Sequence, residues 1–200
     1  MTSADVADGV GTVPPCHFQQ PAAERGVRHA DLDARLTAAL TAVVTGARRR
    51  ALRAGDRHID TAHLLHTLLE SDPEVRAVFD GPQVARLLGY LVQRAIGYGL
   101  RWQSSVEDSG ALPVLSEPEG WSPTAANALG AACARAERSG NARACGLDLL
   151  AAIVVDPESR AVEVLERAGV DVRALLSRIE AAAAGEEYAG EYREPEDVGR

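Results

Sequence analysis

Lysine is missing from this chain of 200 residues, and all 21 of its basic residues are arginine. The absence excludes a Schiff-base lysine and the phosphate-binding lysine of a P-loop. Aromatic residues make up only 4% of the chain, and methionine occurs once, as the first residue. Leucine, valine, alanine and isoleucine must therefore form the core, which favours closely packed helices over a wide ligand cavity.

Positive charge is also in deficit, since 29 acidic residues against 21 basic ones give a formal net charge of −8. Duplex binding needs a basic surface that displaces counterions from the phosphates, so this charge disfavours nucleic acid as a partner. The local exception is a cluster of arginines, Arg48, Arg49, Arg50 and Arg53. It leaves open the alternative of a helical regulatory protein that contacts nucleic acid.

Cysteines and long apolar runs are few as well. Cys16, Cys133 and Cys145 form no Cys-x-x-Cys pair, so neither a disulfide framework nor a cysteine-type zinc site is indicated. The N-terminus lacks the basic start and apolar core of a signal peptide, and no apolar run approaches the ~18 residues of a membrane span. We therefore expect a cytoplasmic protein with no membrane partner.

What the chain does contain is an internal repeat, in which residues 50–69 align with 135–154 at an offset of 85. The i, i+1, i+4, i+5 spacing of the shared apolar positions is typical of the buried stripe of a helix. These positions are Leu64, Leu65, Leu68 and Leu69 in the first copy and Leu149, Leu150, Ile153 and Val154 in the second. The sequence "DPEVRAV" at 72–78 also recurs as "DPESRAV" at 156–162, where Asp is expected to cap a helix that starts at Pro.

The repeat predicts an all-α fold of two tandem, pseudo-symmetric four-helix units, because no segment shows the sustained alternation of a β-strand. Repeat one spans 31–98, a linker 99–120 and repeat two 121–184. A flexible tail (1–30) and an acidic tail (185–200) are expected at the ends. The predicted helices are 33–53, 60–70, 73–79 and 82–97, then 122–139, 146–155, 157–168 and 170–184, with Gly169 and Gly185 as helix stops.

The motifs, in this order and duplicated, resemble the N-terminal double-repeat domain of the Clp/Hsp100 unfoldases, the Clp R or Clp N domain, over about residues 31–184. Each copy of the ClpC type carries Tyr-Ile-Gly-Thr-Glu-His followed by Ile-Leu-Leu-Gly-Leu-Ile, and this chain has "HIDTAHLLHTLL" at 58–69. The second copy opens with "SPTA" at 122–125 where the family has Thr-Pro-Arg-Ala. The segment "LERAGVDV" at 165–172 is similar to the family's Leu-x-x-Leu-Gly-Val-Asp.

The resemblance implies a non-catalytic module that binds proteins or peptides, acting as an adaptor, a decoy or a peptide-sequestering regulator of a Clp chaperone-protease. Its expected partners are a Clp ATPase, the adaptors or client proteins of that ATPase, and, as a further candidate, cyclic peptide antibiotics. No ATPase module follows the double repeat here, so no ATP hydrolysis is expected. The expected partner-binding residues are Asp60, Thr61, Ala62 and His63 in the first copy and Arg143, Cys145, Gly146 and Leu147 in the second.

One functional position of the family is altered in both copies. The Glu of the Thr-Glu-His motif, which is implicated in phosphoarginine binding in the ClpC family, is replaced by Ala62 and by Leu147. A carboxylate pairs with a guanidinium in a bidentate fork, so its loss argues against phosphoarginine recognition by the family's route.

Three of the five histidines, His58, His63 and His66, lie close together and raise the alternative of a metal-dependent hydrolase. A zinc site needs three or four convergent ligands, and zincins pair His at i and i+4 with an adjacent Glu. Here His63 and His66 are three residues apart, and His63 matches the family's motif histidine, which resembles a residue that caps and packs near a helix start. We therefore expect no metal, no cofactor and no catalytic residue.

Overall fold

The computed structural model describes residues 32–95 and 120–191, and the regular structure in both ranges is helical. Two isolated bridging pairs are the only β geometry in these ranges, so the predicted all-α class is confirmed. The predicted tail 1–30 and most of the predicted linker lie outside the described residues. The helices are α1 (Ala38–Ala54), α2 (Thr61–Ser71), α3 (Pro73–Ala77), α4 (Gly81–Ala95), α5 (Pro123–Arg138), α6 (Gly146–Val155), α7 (Arg160–Arg167) and α8 (Val172–Glu191).

The second helix of each repeat, α2 and α6, lies at the centre of the molecule. α2 contacts α1, α3 and α4 of its own repeat and α5, α6 and α7 of the other. Residues 61–69 of α2 and nearly all of α6 are buried, as expected of a helix that is covered on every side. Both predicted apolar stripes lie here, so the repeat correctly located the core.

Two short parallel bridges cross between the repeats. Leu36 pairs with Ala144, and Ile59 pairs with Trp121. The sequence offset of 85 converts one pair into the other, because it moves position 36 to 121 and position 59 to 144. The amide that follows Leu36 donates to Ala144 at 3.0 Å, and the amide that follows Trp121 donates to Ile59 at 2.9 Å. The two bridges are therefore equivalent contacts, related by the pseudo-two-fold symmetry of the tandem duplication.

Hydroxyl side chains fix the starts of the first helix in each repeat. Thr37 accepts a hydrogen bond from the amide of Leu40, and Ser122 accepts one from the amide of Ala125, both at 3.2 Å. Such caps satisfy an amide that the helix itself leaves without a partner. α1 begins at Ala38, five residues after the predicted start, because the chain leaves a short helical turn at 32–34 and is extended at Leu36 and Thr37, where it forms the bridge to repeat two.

The repeated Asp-Pro pair has different roles in the two copies. Asp72 accepts from the two amides that follow Pro73, at 3.0 and 3.1 Å, so α3 begins as predicted. In the second copy Asp156 lies at the end of α6, and α7 begins only after Ser159. The predicted start at 157 is wrong because the Ser159 hydroxyl, at 3.1 Å from the amide three residues on, is the cap.

The two glycines predicted to stop helices also differ. Gly169 has a left-handed φ of 75° and separates α7 from α8, as predicted. Gly185 does not stop α8, which continues to Glu191. Four alanines precede Gly185, and their helix propensity offsets the ~1 kcal/mol that a helical glycine costs. Among the described helices, none is long and apolar enough to cross a bilayer.

Candidate interaction site at the repeat junction

The start of α2 carries the first half of the predicted binding motif and is held by a reciprocal cap. Oδ1 of Asp60 accepts from the amide of His63 at 2.9 Å, and the amide of Asp60 donates to Nδ1 of His63 at 3.2 Å. Two amides of the first turn are thereby satisfied. Nε2 of the same ring lies 3.1 Å from Oδ2 of Asp56. The capping role expected for His63 is confirmed.

The same helix start contacts α7 of the other repeat through two polar groups. Oδ2 of Asp60 accepts from Nη1 of Arg160 at 2.8 Å, and Oγ1 of Thr61 accepts from the amide of Ala161 at 3.1 Å. Asp60 and Thr61 are both buried. Because a buried carboxylate is costly without partners, these bonds hold the two repeats in one register.

The start of α6 lies at the pseudo-symmetric position, against α3, but with different chemistry. Asp148 stands where the first copy has His63, and its Oδ2 accepts from the amide of Cys145 at 3.0 Å. Gly146 replaces Thr61 and lies so close to α3 that a Cβ there would be 2.0 Å from Oδ2 of Asp72. At the second junction the backbone of Gly146 therefore lies close to the carboxylate of Asp72. No hydroxyl there corresponds to that of Thr61 at the first junction.

The eight residues predicted to bind a partner lie at or just before these two helix starts. Residues 60–63 are buried, as are Gly146 and Leu147, whereas Arg143 is exposed and Cys145 is half-buried. The positions of the family's Glu therefore point into the packed interior, where Ala62 is 0% and Leu147 is 2% exposed. Direct contact with a partner is open mainly to Arg143 and Cys145, and the binding role of the set remains a prediction.

Two thiols lie near the second junction, and neither is activated. Burial raises the pKa of Cys145 to about 11. Burial also raises the pKa of Cys133, which lies in α5. Because the thiolate is the nucleophilic form, both groups are neutral and weakly reactive near neutral pH.

The histidines of α2 interact with different partners. Nδ1 of His66 lies 3.3 Å from a guanidinium nitrogen of Arg50, and its Nε2 lies 3.2 Å from a carboxylate oxygen of Glu70. His63 is occupied by the cap, and His58 is half-buried before the helix. In residues 32–95 and 120–191, no three His, Cys, Asp or Glu side chains are grouped so that they could hold a metal ion.

Sequence reasoning missed the exposed apolar side chains of the surface. Leu52 is 73% exposed, Val155 is 67% exposed and Val92 is 48% exposed. Leu52 was detectable, since it lies between arginines and outside the buried stripe of α1 formed by Leu40, Val43, Ala47 and Ala51.

Known proteins match the second repeat by sequence and both repeats by fold. The family model of the Clp repeat (R) N-terminal domain matches residues 121–193. No curated protein matches the sequence. The crystal structure of the N-terminal domain of the caseinolytic protease-associated chaperone ClpD from Arabidopsis thaliana covers 76% of this chain and 96% of its own, with 16% identity and a TM-score of 0.55.

A second solved structure, from work on a malarial protein secretion system, covers 74% of this chain and 95% of its own, with 16% identity and a TM-score of 0.53. The resemblance to the Clp N-terminal double-repeat domain is therefore confirmed, by the family match for the second repeat and by the fold for both. The two solved structures establish the architecture and say nothing further about the activity of this chain.

Proposed function

We propose that this chain is a non-catalytic module that binds proteins or peptides and regulates a Clp chaperone-protease, as an adaptor, a decoy or a peptide-sequestering protein. The observation that carries the proposal is the duplicated Clp N-type fold together with the family match of its second repeat. The proposed partners are a Clp ATPase, its adaptors and its client proteins, with cyclic peptide antibiotics as further ligands. The proposal places the protein in the cytoplasm.

The chemistry of the reactive side chains supports binding over catalysis. His63 is engaged in a helix cap, and the neutral thiol of Cys145 is a weak nucleophile at physiological pH. A nucleophilic site would need a base within hydrogen-bond reach of an activated nucleophile. Asp60 has its oxygens occupied by His63 and Arg160, so it serves the junction.

Affinity capture from a lysate of the source organism tests the binding function. The bait is the full chain, and the control bait is an unrelated helical protein of similar charge. We expect mass spectrometry to identify a Clp ATPase, an adaptor or client proteins with the first bait alone. Recovery of none of these classes would contradict the proposal.

A degradation assay then separates the proposed roles. The purified chain is added to a Clp ATPase, its protease and a labelled client. An adaptor accelerates loss of the client, whereas a decoy slows it and is overcome by excess adaptor. A peptide-sequestering protein leaves the basal rate of client degradation unchanged. When a cyclic peptide is added and alters that rate, such a protein restores it.

A further inference from the structure

The exposed surface near the end of α1 combines one apolar side chain with positive charge. Leu52 is 73% exposed, and Arg49 and Arg53 beside it are also exposed. Arg49 lies three residues before Leu52 and is its neighbour on the same helix face. We name the surface formed by Arg49, Leu52 and Arg53 the α1 patch.

The pseudo-symmetric position in the second repeat carries a charged residue in place of an apolar one. Its equivalent of Leu52 is Glu137, which accepts from Nη2 of Arg35 at 2.5 Å. The offset of 85 moves position 35 to 120, and the residue there is Gly120, where a Cβ would meet no atom within 4 Å. The pseudo-symmetric pair, Leu52 and Gly120, therefore forms no ion pair, and Leu52 is exposed at the position where Glu137 is paired with Arg35.

The charge of the patch is not neutralised within the described part of the chain, where Arg49 and Arg53 form no ion pair. The pKa of the neighbouring Arg50 is lowered by burial and by the charge of Arg53, which indicates a positive local potential. Arg50 itself pairs with Glu70, so the uncompensated charge is on the outer face. An anionic partner fits this face better than a neutral one.

We propose that the α1 patch binds an acidic peptide segment of a partner protein, with one apolar side chain on Leu52 and carboxylates on Arg49 and Arg53. Carboxylates match the guanidinium fork, and covering Leu52 removes apolar surface from water. Nucleic acid fits less well, because leucine offers no face on which a base can stack. The inference rests on the proposed binding function and assigns it a surface and a partner chemistry.

Fluorescence anisotropy with defined ligands tests the partner chemistry. The probe is a labelled synthetic peptide that repeats Glu-Glu-Leu, compared with peptides that repeat Glu-Glu-Ser or Arg-Arg-Leu and with an oligouridine RNA. We expect the Glu-Glu-Leu peptide to bind at least about tenfold more tightly than each of the others, a difference of about 1.4 kcal/mol. Equal binding of the Glu-Glu-Ser peptide, preferred binding of the RNA or no binding of the Glu-Glu-Leu peptide would overturn the inference.

Matched variants locate the binding surface. We expect Leu52→Glu, which installs the residue type of the second repeat, and the double variant Arg49→Ala/Arg53→Ala each to weaken the peptide complex about tenfold. The controls are Val155→Glu and Arg138→Ala, which replace an exposed apolar residue and an exposed arginine elsewhere on the surface. Both should leave the affinity for the peptide unchanged. Equal losses in the control variants would refute the location. Leu52→Glu should keep the wild-type melting temperature because Leu52 is exposed.

Repeating the affinity capture with Leu52→Glu separates this inference from the proposed function. If wild type captures a Clp component and Leu52→Glu does not, the patch is the binding surface. If both capture it equally, the binding function stands and the patch is wrong. If wild type captures none, the proposed function fails, whatever the peptide affinities.

Discussion

Arg160 donates from Nη1 to Oδ2 of Asp60 at 2.8 Å and so joins the start of α7 in repeat two to the start of α2 in repeat one. The Asp60 side chain is 1% exposed, and that of Arg160 is 17% exposed. The carboxylate also caps α2 by accepting from the amide of His63. One buried charge thus serves a helix end and the contact between repeats, which makes its partner essential to the assembled fold.

Removing the guanidinium should therefore destabilise the whole domain. We expect Arg160→Met to lower the free energy of unfolding by about 3 kcal/mol, because it leaves Asp60 buried and charged without its cationic partner. Arg167→Met is the matched control, since it breaks an exposed ion pair with Glu163 and should cost less than about 1 kcal/mol. Urea denaturation at neutral pH measures both. Equal losses in the two variants would contradict a structural role for the Asp60–Arg160 pair.

The close contact of Gly146 with Asp72 predicts that a single methyl group is not tolerated there. Alanine usually stabilises a helix by about 0.5–1 kcal/mol relative to glycine. In Gly146→Ala the new Cβ would meet Oδ2 of Asp72, so we expect a net loss of about 1–3 kcal/mol. Gly130 is the matched control, because it lies in α5 with nothing within 4 Å of an added Cβ.

Thermal unfolding measures the stability of both variants against wild type. We expect Gly130→Ala to melt above wild type and Gly146→Ala to melt below it. A Gly146→Ala protein as stable as Gly130→Ala would show that α3 moves away from α6 at no cost.

The sequence predicted the helices well because their signals are local. Asp72 and Ser122 are caps that any helix start can use, and the repeated apolar stripes mark the buried face of α2 and α6. The start of α7 was mispredicted because Asp156 and Ser159 are both good caps, and only the packed structure decides between them. The end of α8 was mispredicted because local propensity outweighed Gly185.

The candidate site was predictable in position but not in environment. The sequence identified the two helix starts, 60–63 and 145–147, from the family motif. Their burial depends on α7 and α3 of the opposite repeats, and no local pattern indicates that Arg160 contacts Asp60 from a distance of 100 residues along the chain. The α1 patch was missed for the same reason, because the pairing of Glu137 with Arg35 across the repeats, which Leu52 and Gly120 do not reproduce, is visible only in the folded structure.

The raised pKa of Cys145 predicts slow alkylation of the folded protein. Burial moves this pKa from an ordinary 9.0 to about 11, so the thiolate is scarce at neutral pH. In a Cys16→Ser/Cys133→Ala background, we expect the rate of reaction with iodoacetamide to keep rising up to about pH 11. The same protein in guanidinium chloride should show an apparent pKa near 9.0, and an identical profile when folded would contradict the burial.

The same shift gives stability a pH dependence on the alkaline side. A group whose folded pKa is raised contributes stability that is complete below its unfolded pKa and is lost as pH rises through the folded value. For Cys145 the loss therefore falls between pH 9.0 and about 11. Replacement by alanine in the same background should make unfolding less dependent on pH in this window.

The ion pair between Arg135 and Glu180, which ties α5 to α8, predicts an opposite dependence in acid. Both carboxylate oxygens of Glu180 accept from Arg135 at 2.8 Å, and this hydrogen bonding lowers the pKa of Glu180. A lowered carboxyl pKa contributes stability that is present above the unfolded value of 4.5 and is lost as pH falls through the folded value. Because Glu180 is 53% exposed, the pair should contribute only about 0.5–1 kcal/mol.

Glu180→Gln tests this dependence in urea denaturation at two pH values. We expect the variant to be less stable than wild type at neutral pH, and the difference to vanish well below pH 4.5, where both side chains are uncharged. The difference should also shrink at high salt, since the pair is partly exposed to screening ions. Glu158→Gln is the control, because Glu158 forms no ion pair with any described residue and its replacement should leave stability unchanged at both pH values. A deficit in Glu180→Gln that persists in acid would instead indicate lost packing between α5 and α8.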